Sequence, residues 1–157
     1  MTKQGSLKLL DTPEAKELLQ SQIYARVAYI GVDGDPRVVP INFHWDGKDV
    51  VLGSHPDGPK VAAIRKNPSV ALTIDENGFP PKVLTMRGRA TITVEADVTK
   101  EYAAAMERYM GPEAGKAFVD QLRSQKMPMA RIAITPTWVG LLDFQTRLPH
   151  ALTGGYG

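Results

Sequence analysis

Alternating apolar and polar residues predict β-strands along most of the chain after Ile23. "IYARVAYIGV" ends in the turn sequence "DGDP", and "RVVPINFHW" ends in Asp46-Gly47, a strong hairpin signal, before "KDVVLGS". "SVALTID" and the unbroken "KVLTMRGRATITVE" predict two more strands, the second long enough to serve two sheets and, with Gly88 inside it, to bend. "ARIAIT" and "TWVGLLDF", separated by Pro136, predict the last two.

Helical patterns lie at the ends of these strand runs. Thr12 is a cap candidate before "PEAKELLQSQ", and Pro59 opens "PKVAAIRKN". "VTKEYAAAMERYMG" and "PEAGKAFVDQLRSQ" predict two helices separated by Gly111-Pro112. About six antiparallel strands with peripheral α-helices favour a mainly β barrel over a parallel α/β sheet. We expect one domain over residues 1–157, with its core at about residues 20–145.

Composition and charge narrow the classes of function. The 19 Lys and Arg residues against 17 Asp and Glu give a net charge of +2, which provides no bulk electrostatic basis for binding nucleic acid. The absence of cysteine excludes disulfides and thiolate chemistry. No apolar stretch approaches the roughly 20 residues of a membrane helix, and no secretory pattern opens the sequence. We therefore expect a cytoplasmic protein without membrane contact.

The strand "RVVPIN", residues 37–42, combines two unusual features. Arg37 stands at its head and Pro40 in its middle, where a proline cannot donate to a ladder and is confined to an edge, a bulge or a ligand-facing strand. Alternation places Val39, Ile41 and the residues after them on a core face. The opposite face has the mixed character of a ligand-binding wall.

The best local signal for chemistry is "GSHPDGPK", which opens a helix. A helix start presents unpaired amides and a positive dipole end, so adding Ser54 and Lys60 makes an anion site of phosphate size. The same charges, with Arg65 and Lys66, are also typical of a solvated helix face. We expect the Asp-Gly hairpin to fold Ser54 back beside Arg37, so that two basic elements converge on one anion.

The order of "RVVPIN", "DGKDVVLGSHPDGPKVAAIRKNPSVALTID" and "KVLTMRGRATI" resembles the pyridoxamine 5'-phosphate oxidase-like, flavin-binding split-barrel family. The resemblance implies a six-stranded antiparallel split β-barrel that forms a homodimer, with cofactor sites at the subunit interface. It implies FMN as the cofactor or, alternatively, the deazaflavin coenzyme F420 of actinobacterial relatives.

The resemblance also implies roles for individual residues. Arg37, Ser54 and Lys60 would hold the cofactor phosphate. Backbone groups of the strand would line the ribityl chain and ring, with Asn42 at its far end. Lys82 would reach the flavin of the partner subunit, and Arg147 would meet cofactor or substrate. With His55, which follows Ser54, the candidate set is Arg37, Val38, Val39, Pro40, Ile41, Asn42, Ser54, His55, Lys60, Lys82 and Arg147.

Departures from the family pattern concern the substrate. The oxidase proper has an Arg-Lys pair where this chain has Pro59-Lys60, a basic residue at the position of Asn42, and a longer C-terminal run of which Arg147-Leu148 remains. Those missing groups bind the phosphate of the vitamin substrate. We therefore expect a different small organic substrate, and no catalytic residue is identified.

The remaining candidates have ordinary structural alternatives. His44, His55 and His150 are too scattered to indicate a metal site, so none is expected. Trp45 and Trp138 are typical of packing.

Arg87 and Arg89 alternate with core residues on the long strand and fit either a basic cleft or a solvated face. With Arg65 and Lys66 they are the basic residues that would suit the polyglutamate tail of the deazaflavin.

Two classes of function remain open. The first is an oxidoreductase that transfers hydride between the bound cofactor and a small molecule. The second is a non-catalytic carrier or sensor of flavin or haem on the same fold, for which His44 is the histidine on the ligand-facing parity of its strand.

Overall fold

The computed structural model describes residues 2–149 and Leu152. A 3-10 helix, Leu7–Asp11, precedes the first α-helix, in which the Thr12 hydroxyl accepts a hydrogen bond from the amide of Ala15. The helices are α1 (Pro13–Leu19), α2 (Pro59–Lys66), α3 (Lys100–Met110) and α4 (Pro112–Ser124). The strands are β1 (Ala25–Ile30), β2 (Pro36–Ile41), β3 (His44–Trp45), β4 (Val50–Ser54), β5 (Ser69–Asp75), β6 (Val83–Glu95) and β7 (Met129–Leu142).

In the described part of the chain, seven strands form one antiparallel sheet in the order β2-β1-β5-β6-β7-β4-β3. This arrangement confirms the prediction of a mainly β, antiparallel split barrel with peripheral helices. The sequence predicts about six strands; β3, a strand of two residues, is the end of the pattern "RVVPINFHW" and is separate from β2. Its pairing is limited to two registered positions, His44 with Val51 and Trp45 with Val50.

The long strands β6 and β7 join the two halves of the split barrel. Residues 83–89 of β6 pair with β5, whereas residues 130–134 of β7 pair with β4. These segments lie at opposite ends of the β6–β7 ladder, since Val83 pairs with Leu142 and Glu95 with Met129. The long strand β6 was predicted to be able to serve two sheets; in the described part of the chain it pairs with β5 and β7 within one sheet.

The prediction of two final strands separated by Pro136 is wrong, because β7 runs through the proline. The register of the ladder shifts between Arg87 and Gly88: Gly88 pairs with Pro136 and Arg87 with Trp138, which leaves Thr137 as the extra residue of a bulge. A bulge tolerates the missing proline amide. Gly88, predicted to mark a bend or a close backbone approach, lies at this shift and is a close approach, since a Cβ there would lie 2.5 Å from the Thr135 carbonyl oxygen.

The main core lies between one face of the sheet and the helices α1 and α2. Its largest fully buried side chains are Leu9, Leu18, Leu19, Phe43, Leu52, Ile64, Ile74, Leu84, Met86, Ile132, Ile134 and Leu141. A second, smaller cluster joins α3 and α4 through Val98, Ala105, Met106 and Val119. Among the described helices, the longest of which has 13 residues, none has the length and apolar content required to cross a bilayer.

Candidate functional site

The amino end of α2 follows directly from the end of β4. After Ser54, the turn is closed by the Gly58 amide, which donates to the carbonyl of His55 at 3.0 Å, and by the Asp57 amide, which donates to His55 Nδ1 at 3.2 Å. In the part of the chain that the structure describes, no side chain caps α2. A Cβ at Gly58 would stand 3.5 Å from Ser54 Oγ, so this hydroxyl lies beside the open helix start.

Lys60, in the first turn of α2, is half-buried. Burial lowers the pKa of its ammonium group, and no charged group among the described residues contributes to this shift. A cation that is partly removed from water without a compensating anion is unfavourable in the free protein. In this first turn Pro59 has no N–H and the amides of Val61 and Ala62 donate to the Gly58 carbonyl, which leaves the amide of Lys60. With this amide and the Ser54 hydroxyl, the Lys60 ammonium group forms a set of donors suited to a phosphate.

Arg37 lies at the head of β2 and is engaged by the β1–β2 turn. Its Nη2 is 2.5 Å from Asp33 Oδ2, and this hydrogen bond raises the pKa of Arg37 and lowers that of Asp33. Lys66, at the other end of α2 from Lys60, donates from Nζ to the carbonyl of Val32 at 3.0 Å. These contacts connect Arg37 to the carboxyl end of α2, a helix roughly 12 Å long.

The pairing predicted to bring Ser54 beside Arg37 is wrong. The Asp-Gly hairpin pairs β4 with β3 alone, and extending that register would place Ser54 opposite Ile41. β2 pairs with β1 at the other end of the sheet. The break has a physical cause in Phe43, whose side chain is fully buried and whose carbonyl accepts a hydrogen bond from Arg108 Nη2.

The strand β2 is an edge of the sheet, as Pro40 predicted. Val39 and Ile41 pack against the core, whereas Val38 is 66% exposed and Pro40 is also exposed. Asn42 follows the strand and is half-buried. Because β1 covers one side of β2, its other side presents backbone groups that no described strand pairs.

Lys82 makes contacts within its own chain. Its Nζ lies 2.9 Å from Glu17 Oε2 and 3.9 Å from Glu76 Oε1. The hydrogen bond with Glu17 is the largest cause of a raised pKa of Lys82. The residue thus ties α1 to the segment that precedes β6.

Arg147 is held in a turn organised by Asp143. Burial alone would raise the pKa of Asp143, but hydrogen bonds from the Thr146 hydroxyl and from the amides of Arg147, Gln145 and Thr146 outweigh it and lower the pKa to about 2. Arg147 Nη1 donates to the Thr2 carbonyl at 3.2 Å. The described contacts of Lys82 and Arg147 do not connect either residue to Lys60.

Arg87 and Arg89 line a cleft of about 500 Å³ on the outer face of the sheet. The Arg87 guanidinium lies 4.3 Å from the centre of the Trp138 ring, and Arg89 Nη1 donates to Ser69 Oγ at 3.3 Å. Trp138 therefore supports a cation as well as packing, a pairing that neither residue's sequence context indicated. Trp45 packs against the core, as predicted.

His44, the candidate haem ligand, lies in β3. Its Nδ1 is buried without a hydrogen-bond partner among the described residues. Burial, followed by the nearby charge of Arg108, lowers the pKa of the imidazole, and Glu101 and Asp46 oppose the shift. Within residues 2–149 and Leu152, no group of three or more His, Asp or Glu side chains could hold a metal ion. His150 lies outside the described residues.

Comparisons with known proteins agree with this architecture. The model of the family described as pyridoxamine 5'-phosphate oxidase matches residues 11–143. No curated protein matches the sequence.

Solved structures share the fold. A conserved hypothetical protein from Mycobacterium tuberculosis is 22% identical, with a TM-score of 0.68 over 87% of this chain and 88% of its own. An F420 reductase is 22% identical, with a TM-score of 0.60 over 80% and 94%. HutZ, the heme storage protein of Vibrio cholerae, is 20% identical, with a TM-score of 0.60 over 83% and 92%. At these identities the likeness concerns the fold alone.

Proposed function

The chain belongs to the pyridoxamine 5'-phosphate oxidase family, and from this premise we propose that it binds a flavin-type cofactor and acts as an oxidoreductase on a small organic molecule. FMN is the simplest ligand for the site, and the deazaflavin coenzyme F420 is the alternative. The missing basic residues at positions 42 and 59 argue against pyridoxamine phosphate as the substrate.

One observation carries the proposal: Lys60 is half-buried in the first turn of α2, no anion among the described residues contributes to its pKa, and the hydroxyl of Ser54 lies beside Gly58 at the start of the same helix. A phosphate dianion would supply a counter-charge and accept hydrogen bonds from the Lys60 amide, the Ser54 hydroxyl and the Lys60 ammonium group together. The residues present therefore fit the phosphate of such a cofactor.

Arg37 is proposed as a second cation for the same phosphate. It lies toward the other end of α2 and is paired with Asp33, so binding would require its side chain to exchange that exposed carboxylate for the cofactor. Because exposed ion pairs of this kind contribute little to stability, breaking the pair with Asp33 costs little free energy.

The ring and ribityl chain are proposed to lie along the unpaired side of β2. The backbone of Val38, Val39, Pro40 and Ile41 supplies the wall there, and Asn42 ends it. His55, whose Nδ1 already accepts a bond from its own turn, would approach the phosphate with Nε2.

A homodimer would complete the site. According to the strand registers, a row of neighbouring residues crosses the outer face of the sheet from Val38 on the edge strand through Ala28 and Ala71 to Arg87. Val38 is exposed and Ala28 and Ala71 are half-buried, so the row has a small, apolar stretch beside an exposed arginine, which suits a second copy of the chain. Lys82 of the partner subunit would then reach the flavin of each site, and Arg147 would meet cofactor or substrate, after both leave their present contacts.

The cofactor, when bound, supplies the hydride chemistry. The chain's part is to hold the phosphate through Lys60 and Ser54, to orient the ring against β2 and to exclude water with the second subunit. Such a role needs no catalytic acid or base from the chain. This agrees with the absence of any recognisable nucleophile–base motif in the sequence.

An activity measurement separates an enzyme from a carrier. We expect the purified protein, loaded with reduced FMN or reduced deazaflavin, to reduce a quinone or an enone faster than the free cofactor does under anaerobic conditions. If the cofactor binds but its oxidation by these acceptors is not accelerated, the carrier alternative is supported instead.

The haem alternative rests on the heme storage neighbour and on His44. It predicts that hemin added to the protein shows a Soret band shifted and sharpened relative to free hemin, and that the His44→Ala variant loses this change.

A further inference from the structure

A small cleft opens beside the proposed phosphate site. Its volume is about 200 Å³, and Ser54 and His55, which border the start of α2, are also part of its lining. The far wall comes from α3, the end of α4 and the loop before β7, through Tyr102, Gln125 and Met127 among others. The proposed phosphate site is therefore open on the side that faces this cleft.

The floor of the cleft depends on Gly53. A Cβ at this position would lie 2.6 Å from Tyr102 Cδ2 and 2.8 Å from Met129 Sδ, so the aromatic ring and the thioether pack directly on the strand. Any larger residue would displace these two side chains. Gly53 thus fixes an aromatic and sulfur-containing surface next to Ser54, a combination that packs well against planar rings.

The cleft has no fixed charge. None of its lining residues is Lys, Arg, Asp or Glu, and burial raises the pKa of Tyr102, which keeps its phenol neutral. An oligoglutamate tail would lose hydration here without gaining a cationic partner. Gln125 offers both a donor and an acceptor to an uncharged heterocycle.

The volume of the cleft limits the size of the group that it can hold. Sites for complete drug-sized ligands have about 300–1,000 Å³, so this cleft is too small for a second whole cofactor. We propose that it receives an uncharged aromatic heterocycle linked to the bound phosphate, as in the adenosine half of a flavin dinucleotide. The inference rests on the proposed function and names the cofactor class more closely: the site prefers FAD to FMN.

Titrations of FMN and FAD into the full-length protein, followed by flavin fluorescence, test this preference. We expect FAD to bind about tenfold or more tightly than FMN, as burial of one aromatic ring permits. The Met127→Trp variant fills the cleft from a side chain that is 44% exposed, and it is expected to abolish the advantage of FAD without changing the Kd of FMN. The matched control is Met110→Trp, at a methionine that is 46% exposed on α3 and does not line the cleft.

The outcomes distinguish the two proposals. If FMN binds and FAD gains nothing, or if Met127→Trp leaves the ratio of the two affinities unchanged, the inference about the cleft is overturned and the phosphate site stands. Tighter binding of the glutamate-tailed deazaflavin than of FAD, lost in Met127→Trp, would also overturn it. If neither flavin binds but the deazaflavin does, the cleft proposal fails and the proposed function stands with its alternative cofactor. If none of the three binds, both fail.

Discussion

The Lys60→Met variant is expected to bind FMN with a Kd raised roughly 10- to 150-fold, equivalent to the roughly 1.5–3 kcal/mol of a hydrogen bond to a charged group. Methionine keeps most of the aliphatic stem of this half-buried side chain and removes the ammonium group, with its charge and its hydrogen-bond donors. The loss of affinity therefore reports the contact with the phosphate. Fluorescence quenching of FMN during titration measures it.

The Lys116→Met variant is the control for loss of one positive charge. Lys116 is exposed on α4, where it pairs with Asp120 at 3.6 Å. Its removal is expected to leave the Kd of FMN unchanged. Equal affinities for Lys60→Met and the wild-type protein would place the cofactor elsewhere.

Lys60→Met has a second, opposite effect that a structural lysine would not show. Because the ammonium group of Lys60 is partly desolvated without a partner, its removal is expected to keep or raise the melting temperature of the cofactor-free protein. Weaker binding together with unchanged or greater stability is the signature of a residue retained for its ligand.

The Phe43→Ala variant is expected to lose about 3–5 kcal/mol of the free energy of unfolding, a typical cost for truncating a buried aromatic residue. Phe43 is 0% exposed and belongs to the main core, and the Arg108 guanidinium lies 5.0 Å from the centre of its ring. For a chain of this length the loss corresponds to a fall in Tm of roughly 6–20 °C. Thermal or denaturant unfolding measures it.

Phe79 provides the matched control, since its side chain is 98% exposed. Phe79→Ala is expected to leave the free energy of unfolding of the cofactor-free protein within about 0.5 kcal/mol of the wild-type value. A loss for Phe43→Ala no greater than that for Phe79→Ala would mean that Phe43 does not anchor the segment between β2 and β3, and the account of how β2 diverges from β4 would fail with it.

Local patterns predicted most of the elements correctly because each was specified by nearby residues. Thr12 with the proline that follows fixes the start of α1, and period-two alternation fixes β5 and β6. Gly88 was identified as a bend from its position inside an otherwise regular strand. These signals are local, and tertiary packing agrees with them.

The errors arose where pairing between distant segments decided the outcome. Pro136 resembles a strand end, but a bulge opposite Gly88 accommodates it inside β7. The Asp46-Gly47 turn predicts a hairpin correctly, yet the burial of Phe43 limits that hairpin to β3. Periodicity alone does not tell which strand a segment pairs with, nor whether one aromatic side chain is buried.

The site was predictable in part for the same reason. Ser54 and Lys60 are linked by one turn, so their proximity follows from a short stretch of sequence. The distance from Arg37 to this pair depends on the order of strands, and its ion pair with Asp33 depends on the shape of the β1–β2 turn. The sequence feature that indicates this ion pair is the placement of Asp33 and Arg37 four residues apart, on either side of one turn.

The central claim is that Lys60, Ser54 and the start of α2 bind the phosphate of a flavin, and a comparison of FMN with riboflavin tests it most directly. The two ligands share the ring and ribityl chain and differ only in the phosphate. We expect calorimetric titration of the wild-type protein to give a Kd for FMN at least about tenfold below that for riboflavin, and nearly equal values in Lys60→Met. Equal affinities of the wild-type protein for the two ligands, or a preference for FMN that survives in Lys60→Met, would contradict the claim.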